Sequence, residues 1–214
     1  MNTDYINEIP EAERRFISSP VEYRENGKEG VIEGVAAVVS TRAGNDWFDE
    51  EIKPGAFKNA LNDDVRVLFN HNPDKVLGRT KSKTAEIFLK ENGDLGYRYK
   101  TPQNRQFAKD VEDMIKTGDV NQSSFAFRVK EDEWIEKKGE KPLRVISEIE
   151  KLYDVSPVTY PWYSSTSVGA KRSYDNFKGE KNDDYTERME AIESKVKNIE
   201  RLQIIEEKIN KINI

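Results

Sequence analysis

One imidazole is available to this chain. His71 is the single histidine among 214 residues, in Asn70-His71-Asn72-Pro73 directly after the apolar run Val65-Arg66-Val67-Leu68-Phe69. A serine hydroxyl is a poor nucleophile at its ordinary pKa and needs a base within hydrogen-bond reach, so a serine hydrolase with a histidine base built from this sequence must use His71. The hydroxyl best suited to receive it is Ser124, in Asn121-Gln122-Ser123-Ser124-Phe125-Ala126-Phe127. A separation of about fifty residues is no obstacle, because such groups are assembled in space. A lone histidine after a strand is also a common surface or capping residue, so composition alone does not decide its role.

The chain has no cysteine. That removes a thiol nucleophile, disulfide stapling and every sulfur-rich zinc site, and one histidine makes a conventional zinc centre improbable. No Asp-rich loop has the spacing of an EF-hand. The expectation is therefore chemistry without metal or cofactor.

The elements that must position the two groups are mostly strands. Arg14-Arg15-Phe16-Ile17 and Gly30 to Val39 read as strands, the second bent or bulged at its glycines. Pro54 is placed to start a short helix through Phe57, Ala60 and Leu61. Val65 to Phe69 predicts a strand whose alternate residues lead to His71, which puts the imidazole on the face of its apolar neighbours. Ala85 to Leu89 and Leu95 to Lys100 flank Asn92-Gly93, a hairpin signal. Phe107, Val111, Met114 and Ile115 recur at helical spacing between Asn104 and Thr117, with Gly118 following the last turn. Ser124 to Val129 is a strand again, Lys130 to Pro142 a hairpin or exposed loop, and Leu143 to Val155 the last long strand. Two prolines in the next few residues, Pro157 and Pro161, argue against continuing it. Many short strands with one or two inserted helices suggest a compact barrel or rolled sheet.

Beyond Ala170 the composition changes. Lys171 to Asp184 is polar, and Met189, Ile192, Val196, Ile199, Leu202, Ile205, Ile209 and Ile212 then form one helical stripe. That stripe needs cover from this domain, a second copy or another protein. The domain plan is a flexible lead-in over 1–13, a globular domain over 14–171, a polar linker over 172–184 and an amphipathic helical tail over 185–214. A net charge of -5, with no clustered basic patch, argues against a nucleic-acid partner. No stretch approaches the roughly 20 apolar residues that cross a bilayer, and the polar start lacks the pattern of a secretory signal, so the expected protein is intracellular and free of membrane.

Four segments in this order carry a family resemblance: Phe48-Asp49-Glu50-Glu51-Ile52-Lys53-Pro54-Gly55-Ala56-Phe57, Asn70-His71-Asn72, Gly118 to Phe127, and Leu152 to Pro161. Read together, they resemble the prohead maturation proteases of tailed phages, the capsid-assembly serine peptidases of HK97-type phages and prophages. The match covers roughly Arg14 to Lys171. At the level of fold the chain also resembles the herpesvirus assemblin proteases. The resemblance implies a mainly β fold with α elements, a compact assemblin-like β-barrel with flanking helices, to which the amphipathic tail would be added.

It also implies roles. The family's nucleophile is the serine directly before the Phe-x-Phe strand, which falls on Ser124, and its general base falls on His71. Ser123 is the rival hydroxyl, and strand alternation allows only one of the two to face the imidazole without a bulge. The acid before Val-Ser-Pro-Val, often glutamate in the family, falls on Asp154. Glu148 and Glu150 share its parity by counting and stay open as alternatives. Arg79, in the family-like spacing from His71 through Gly78, is the candidate oxyanion stabiliser, with Arg144 as its rival. The implied activity is cleavage of scaffold protein, or of a scaffold segment of the major capsid protein, inside the immature prohead in the host cytoplasm. Self-cleavage is implied as well, for which the 171–184 segment is a plausible site. Homodimerisation or association through the tail helix would supply its cover. The competing reading is a catalytically inactive capsid-assembly or scaffold-binding protein. A small esterase is disfavoured because Gly-x-Ser-x-Gly is missing around Ser124.

Overall fold

Two antiparallel-rich sheets share one apolar core in the computed structural model, which describes residues 12–17, 21–26, 29–44, 47–160 and 171–179. In chain order the strands are β1 (Glu13–Ile17), β2 (Val21–Asn26), β3 (Glu29–Ala37), β4 (Ala43–Gly44), β5 (Asp49–Ile52), β6 (Arg66–Phe69), β7 (Asn72–Arg79), β8 (Ala85–Leu89), β9 (Leu95–Lys100), β10 (Gln122–Ile135) and β11 (Leu143–Val158). One helix, α1 (Gln106–Thr117), separates β9 from β10. The smaller sheet runs β2-β3-β9-β8. The larger runs β1-β10-β11-β5-β4, with β6 added alongside β11 and β7 alongside β6.

The expected barrel does not form. Among the described residues neither sheet closes on itself, and the fold is a mixed α/β one dominated by open sheets. A barrel needs every strand paired on both edges, yet β2 and β8 end the small sheet and β1 and β4 end the main path of the large one. Helix α1 packs against β2 and β7, one from each sheet, so side chains rather than ladder hydrogen bonds fill the space between them. Its buried positions Ala108, Val111 and Ile115 make the inward face, and Gly118, at φ 84, ends it in the left-handed conformation with its N–H donated to the Ile115 carbonyl.

Alternation along the strands builds the core. Ile32, Leu95 and Tyr97 from the small sheet meet Val67, Phe125, Phe127, Ile149 and Val155 from the large one, all buried. The Phe125 and Phe127 rings stack at 4.8 Å, and Phe57 meets Phe125 edge-on at 5.8 Å. The segment after Pro54 makes turns and a short 3-10 helix, Ala60–Asn62, in place of an α-helix.

β10 and β11 form the longest hairpin, and it is irregular. Between Ala126 and Phe127 the partner strand steps from Asp154 to Leu152; between Arg128 and Val129 it steps from Lys151 to Ile149. Tyr153 and Glu150 are thus extra residues, each shifting the face of everything beyond it. β11 also continues through Pro157, which the prolines argued against. A proline lacks only the donor, and one residue from the strand end its carbonyl still accepts the Asn70 N–H at 3.1 Å.

A buried polar cluster ties the edge strand β1 to the large sheet. Arg15 pairs with Glu13 and Glu50, while Arg144 pairs with Glu13, Glu50 and Asp132. The chain divides into two units, Met1–Arg172 and Ser173–Ile214. Of the second only residues 173–179 are described, within a helical stretch over 171–179 where the Tyr174 and Phe177 rings lie 6.5 Å apart. The lead-in up to residue 11 and the tail helix expected over 185–214 lie outside the described residues.

Candidate active site

His71 sits at a hairpin tip. β6 ends at Phe69 and β7 starts at Asn72, which are paired, so Asn70 and His71 are a two-residue loop. Their φ angles are 53° and 54°, the signature of a type I′ turn, which suits the right-handed twist of the flanking strands. Asn and His are among the non-glycine residues that tolerate this region best. The turn, and not strand alternation, therefore aims the imidazole. Asn70 fastens the tip to the end of β11: its side-chain oxygen accepts the Thr159 N–H at 2.9 Å, and its own N–H goes to Pro157.

Register brings the other groups beneath it. Ser124 lies opposite Ser156 across the β10–β11 ladder, and Ala126 lies opposite Asp154. Residues two apart on a strand share a face, so Ser124, Ser156 and Asp154 form one patch on the face turned away from Phe125 and Val155. β6 joins β11 in parallel with Arg66 opposite Asp154 and Val67 opposite Val155, so the hairpin that starts there carries its tip along β11 toward Ser156.

The result is a continuous chain of contacts. His71 Nδ1 lies 2.6 Å from Asp154 Oδ1, and His71 Nε2 lies 2.6 Å from Ser124 Oγ. Asp154 is fully buried, and Ser124 and His71 are nearly so. A buried carboxylate is costly unless it is paired and hydrogen-bonded. Asp154 accepts two hydrogen bonds, one from the His71 ring and one from the Ser156 hydroxyl, which donates to the same Oδ1 at 2.9 Å. With an ionised acid at Nδ1, the proton belongs on that nitrogen and Nε2 is left to accept. The His71 backbone N–H donates to Ser156 Oγ at 3.3 Å, and the same oxygen lies 3.3 Å from Nδ1, so Ser156 braces both acid and imidazole. Sequence reasoning assigned Ser156 no role, although its place two residues beyond Asp154 put it on the same strand face.

The remaining candidates lie elsewhere. Ser123 points into the core, fully buried, and its hydroxyl is 2.9 Å from the Tyr97 hydroxyl, whose pKa is pushed up by burial with the Ser123 bond opposing it. Glu150 holds Arg128 at two points, 2.6 and 2.8 Å, and Glu148 accepts from Asn59 and Lys130. Glu150, as a bulge residue, has left the alternation, while Glu148, which the two shifts return to the face of Asp154, lies farther along β11. Arg79 grips Asp64 through two nitrogens at 2.7 and 2.5 Å, and Arg144 is buried in the cluster with Glu13. One further polar atom reaches the site: the Ser124 hydroxyl donates to the Arg15 carbonyl of β1 at 2.9 Å.

Among the described residues no group of three or more His, Asp or Glu side chains is arranged to hold a metal ion, and no helix is long and apolar enough to cross a membrane. A hydroxyl, an imidazole and a carboxylate in this order are the parts of a serine acyl-transfer site.

Comparison with known proteins gives the same chemistry a context. The family model for the caudovirus prohead serine protease matches residues 18–180. No curated protein matches the chain. Among solved structures, the bacteriophage T4 capsid assembly protease is similar at 14% identity and a TM-score of 0.47, over 70% of this chain and 98% of that one.

Proposed function

The chain belongs to the caudovirus prohead serine protease family and is a serine peptidase of that family, and on that premise we propose that Ser124 is its nucleophile, His71 its general base and Asp154 the acid that orients the imidazole. The observation that carries this reading is the pair of 2.6 Å contacts on the two nitrogens of the chain's single histidine. In the reaction, His71 Nε2 takes the hydroxyl proton as Ser124 Oγ bonds to a peptide carbonyl carbon, and the carbonyl electrons move onto oxygen. Collapse breaks the C–N bond, and His71 returns the proton to the departing amine. Water then attacks the acyl-enzyme with His71 again taking a proton, which releases the new carboxyl terminus and restores Ser124. Asp154 holds the Nδ1 proton and stabilises the charge that forms on the ring. Ser156 fixes the carboxylate by donating to it. Arg79 serves the developing oxyanion only if it leaves Asp64.

The family context supports a substrate among capsid-assembly proteins. The finer reading is that the enzyme cleaves scaffold protein, or a scaffold segment of the major capsid protein, within the immature prohead, and cuts itself in the 172–184 segment that follows the 14–171 domain. The test is to incubate wild type and Ser124→Ala separately with the scaffold and capsid proteins of the same phage and measure the masses of the new termini. New termini from wild type alone are expected. Equal processing by folded Ser124→Ala would overturn the assignment.

A further inference from the structure

The catalytic groups proposed above are sealed from solvent, and the peptide carbonyl that stands at the nucleophile belongs to the protein itself. Ser124, His71 and Asp154 are all buried. β1 lies antiparallel to β10 with Arg15 opposite Phe125 and Phe16 opposite Ser124, and the Arg15 carbonyl accepts the Ser124 hydroxyl at 2.9 Å. An extended chain, hydrogen-bonded along the nucleophile's strand with a carbonyl at Oγ, is the arrangement a peptide takes when it adds to a sheet edge.

We propose that the edge of β10 beside Ser124 is the docking surface for an extended substrate peptide, and that β1 is its resident, inhibitory occupant. This inference rests on the assignment of Ser124 as nucleophile.

Three features support it. A hydroxyl has one proton, so each moment in which Ser124 donates to Arg15 is one in which it does not donate to His71. The contact is with the carbonyl oxygen as a hydrogen-bond acceptor, so the strand competes for the nucleophile without offering it a carbon in line for attack. β1 is also the end of the strand order and pairs with β10 alone among the described strands, so it can leave without breaking another ladder. What holds it is the buried ion-pair cluster of Glu13 and Arg15 with Glu50 of β5 and Arg144 of β11. Buried ion pairs stabilise weakly against an apolar packing but specify one arrangement, which suits a strand that must be held in register and then released. Displacing β1 exposes an unpaired strand edge beside the hydroxyl, and the incoming peptide replaces the lost hydrogen bonds one for one.

The absence of native cysteine permits a clean lock. Arg14 and Ala126 are cross-strand partners, and the Cα separation of such partners, about 4.5–5.5 Å, suits a disulfide. The full-length Arg14→Cys/Ala126→Cys variant is assayed oxidised and reduced, by the mass of new termini in the scaffold or capsid substrate. The oxidised form is expected to cleave on the order of 100-fold more slowly than the same protein after reduction. Equal Ser124-dependent cleavage in both forms overturns the docking proposal and leaves the nucleophile assignment standing. Cleavage that survives Ser124→Ala sinks both. Should the double variant fail to fold, hydrogen exchange on folded Ser124→Ala decides. Saturation with a synthetic peptide spanning a mapped cleavage site is expected to strip protection from the amides of Glu13–Ile17, and unchanged protection there overturns the proposal.

Discussion

Two buried polar clusters lie along the same pair of strands, and they differ in what their protons can do. At one end of β10 and β11, Ser124, His71, Asp154 and Ser156 share hydrogen bonds between groups that exchange protons readily. Toward the other end, Arg15 and Arg144 face Glu13, Glu50 and Asp132. Guanidinium groups do not give up protons in proteins, so the second cluster can hold chains together but cannot relay a proton. The lesson is that burial and charge alone do not mark a catalytic site. What sets the proposed site apart is a base with one nitrogen on an acid and the other on a hydroxyl.

The difference is open to attack from both sides. The largest effect is expected from Asp154→Asn, which keeps shape but disturbs the tautomer and removes the charge facing the imidazole. Peptide cleavage is expected to fall ~10^4-fold, measured as kcat/KM on a synthetic cleavage-site peptide, with the protein still folded by circular dichroism. A loss below tenfold would mean that the acid does not orient His71.

Arg144→Met breaks the other cluster. It leaves Glu13, Glu50 and Asp132 short of a buried cation, and the expected cost is about 3–5 kcal/mol in urea unfolding. The same cluster carries a pH signature. Burial raises the Glu13 pKa, but Arg15 and Arg144 outweigh it and the net direction is down. The stability Glu13 contributes is therefore present above the ordinary carboxylate value and is lost as pH falls through its lowered folded value. Denaturation midpoints measured across the acid range are expected to show this loss in wild type and a weaker one in Arg144→Met.

Asn70→Gly keeps a residue that accepts positive φ but removes the bond to Thr159. The expected outcome is about tenfold lower kcat through misplacement of the imidazole, with little change in unfolding. The smallest effect belongs to Glu148→Gln and Glu150→Gln, whose charges face Lys130 and Arg128 at the sheet surface. Peptide cleavage is expected to stay within about twofold.

Much of the site was legible because its signals are local. Strand alternation separates Ser124 from Ser123, and the structure turns one to His71 and the other to Tyr97. The helix ending at Gly118 and the Asn92-Gly93 hairpin also follow from neighbouring residues, and Gly93 has the positive φ that such a turn uses. What failed depended on distant pairing. Counting along β11 put Glu150 on the face of Asp154, whereas the bulges at Tyr153 and Glu150, which depend on how β10 meets β11, take it out of the alternation. Barrel closure was misread because edge pairing between remote strands leaves no mark on either strand's own pattern. The place of Arg15 beside Ser124 is a contact across 109 residues, with no periodicity to announce it.

The most direct test of the central claim is to find which serine reacts. Enzyme that is actively cleaving its scaffold or capsid substrate is treated with a serine-directed phosphonyl fluoride, and the adduct is mapped by mass spectrometry. The account predicts labelling at Ser124, loss of cleavage in step with that labelling, and no adduct in His71→Ala. An adduct on Ser123 or another serine that tracks inactivation, or full cleavage with Ser124 modified, would contradict it.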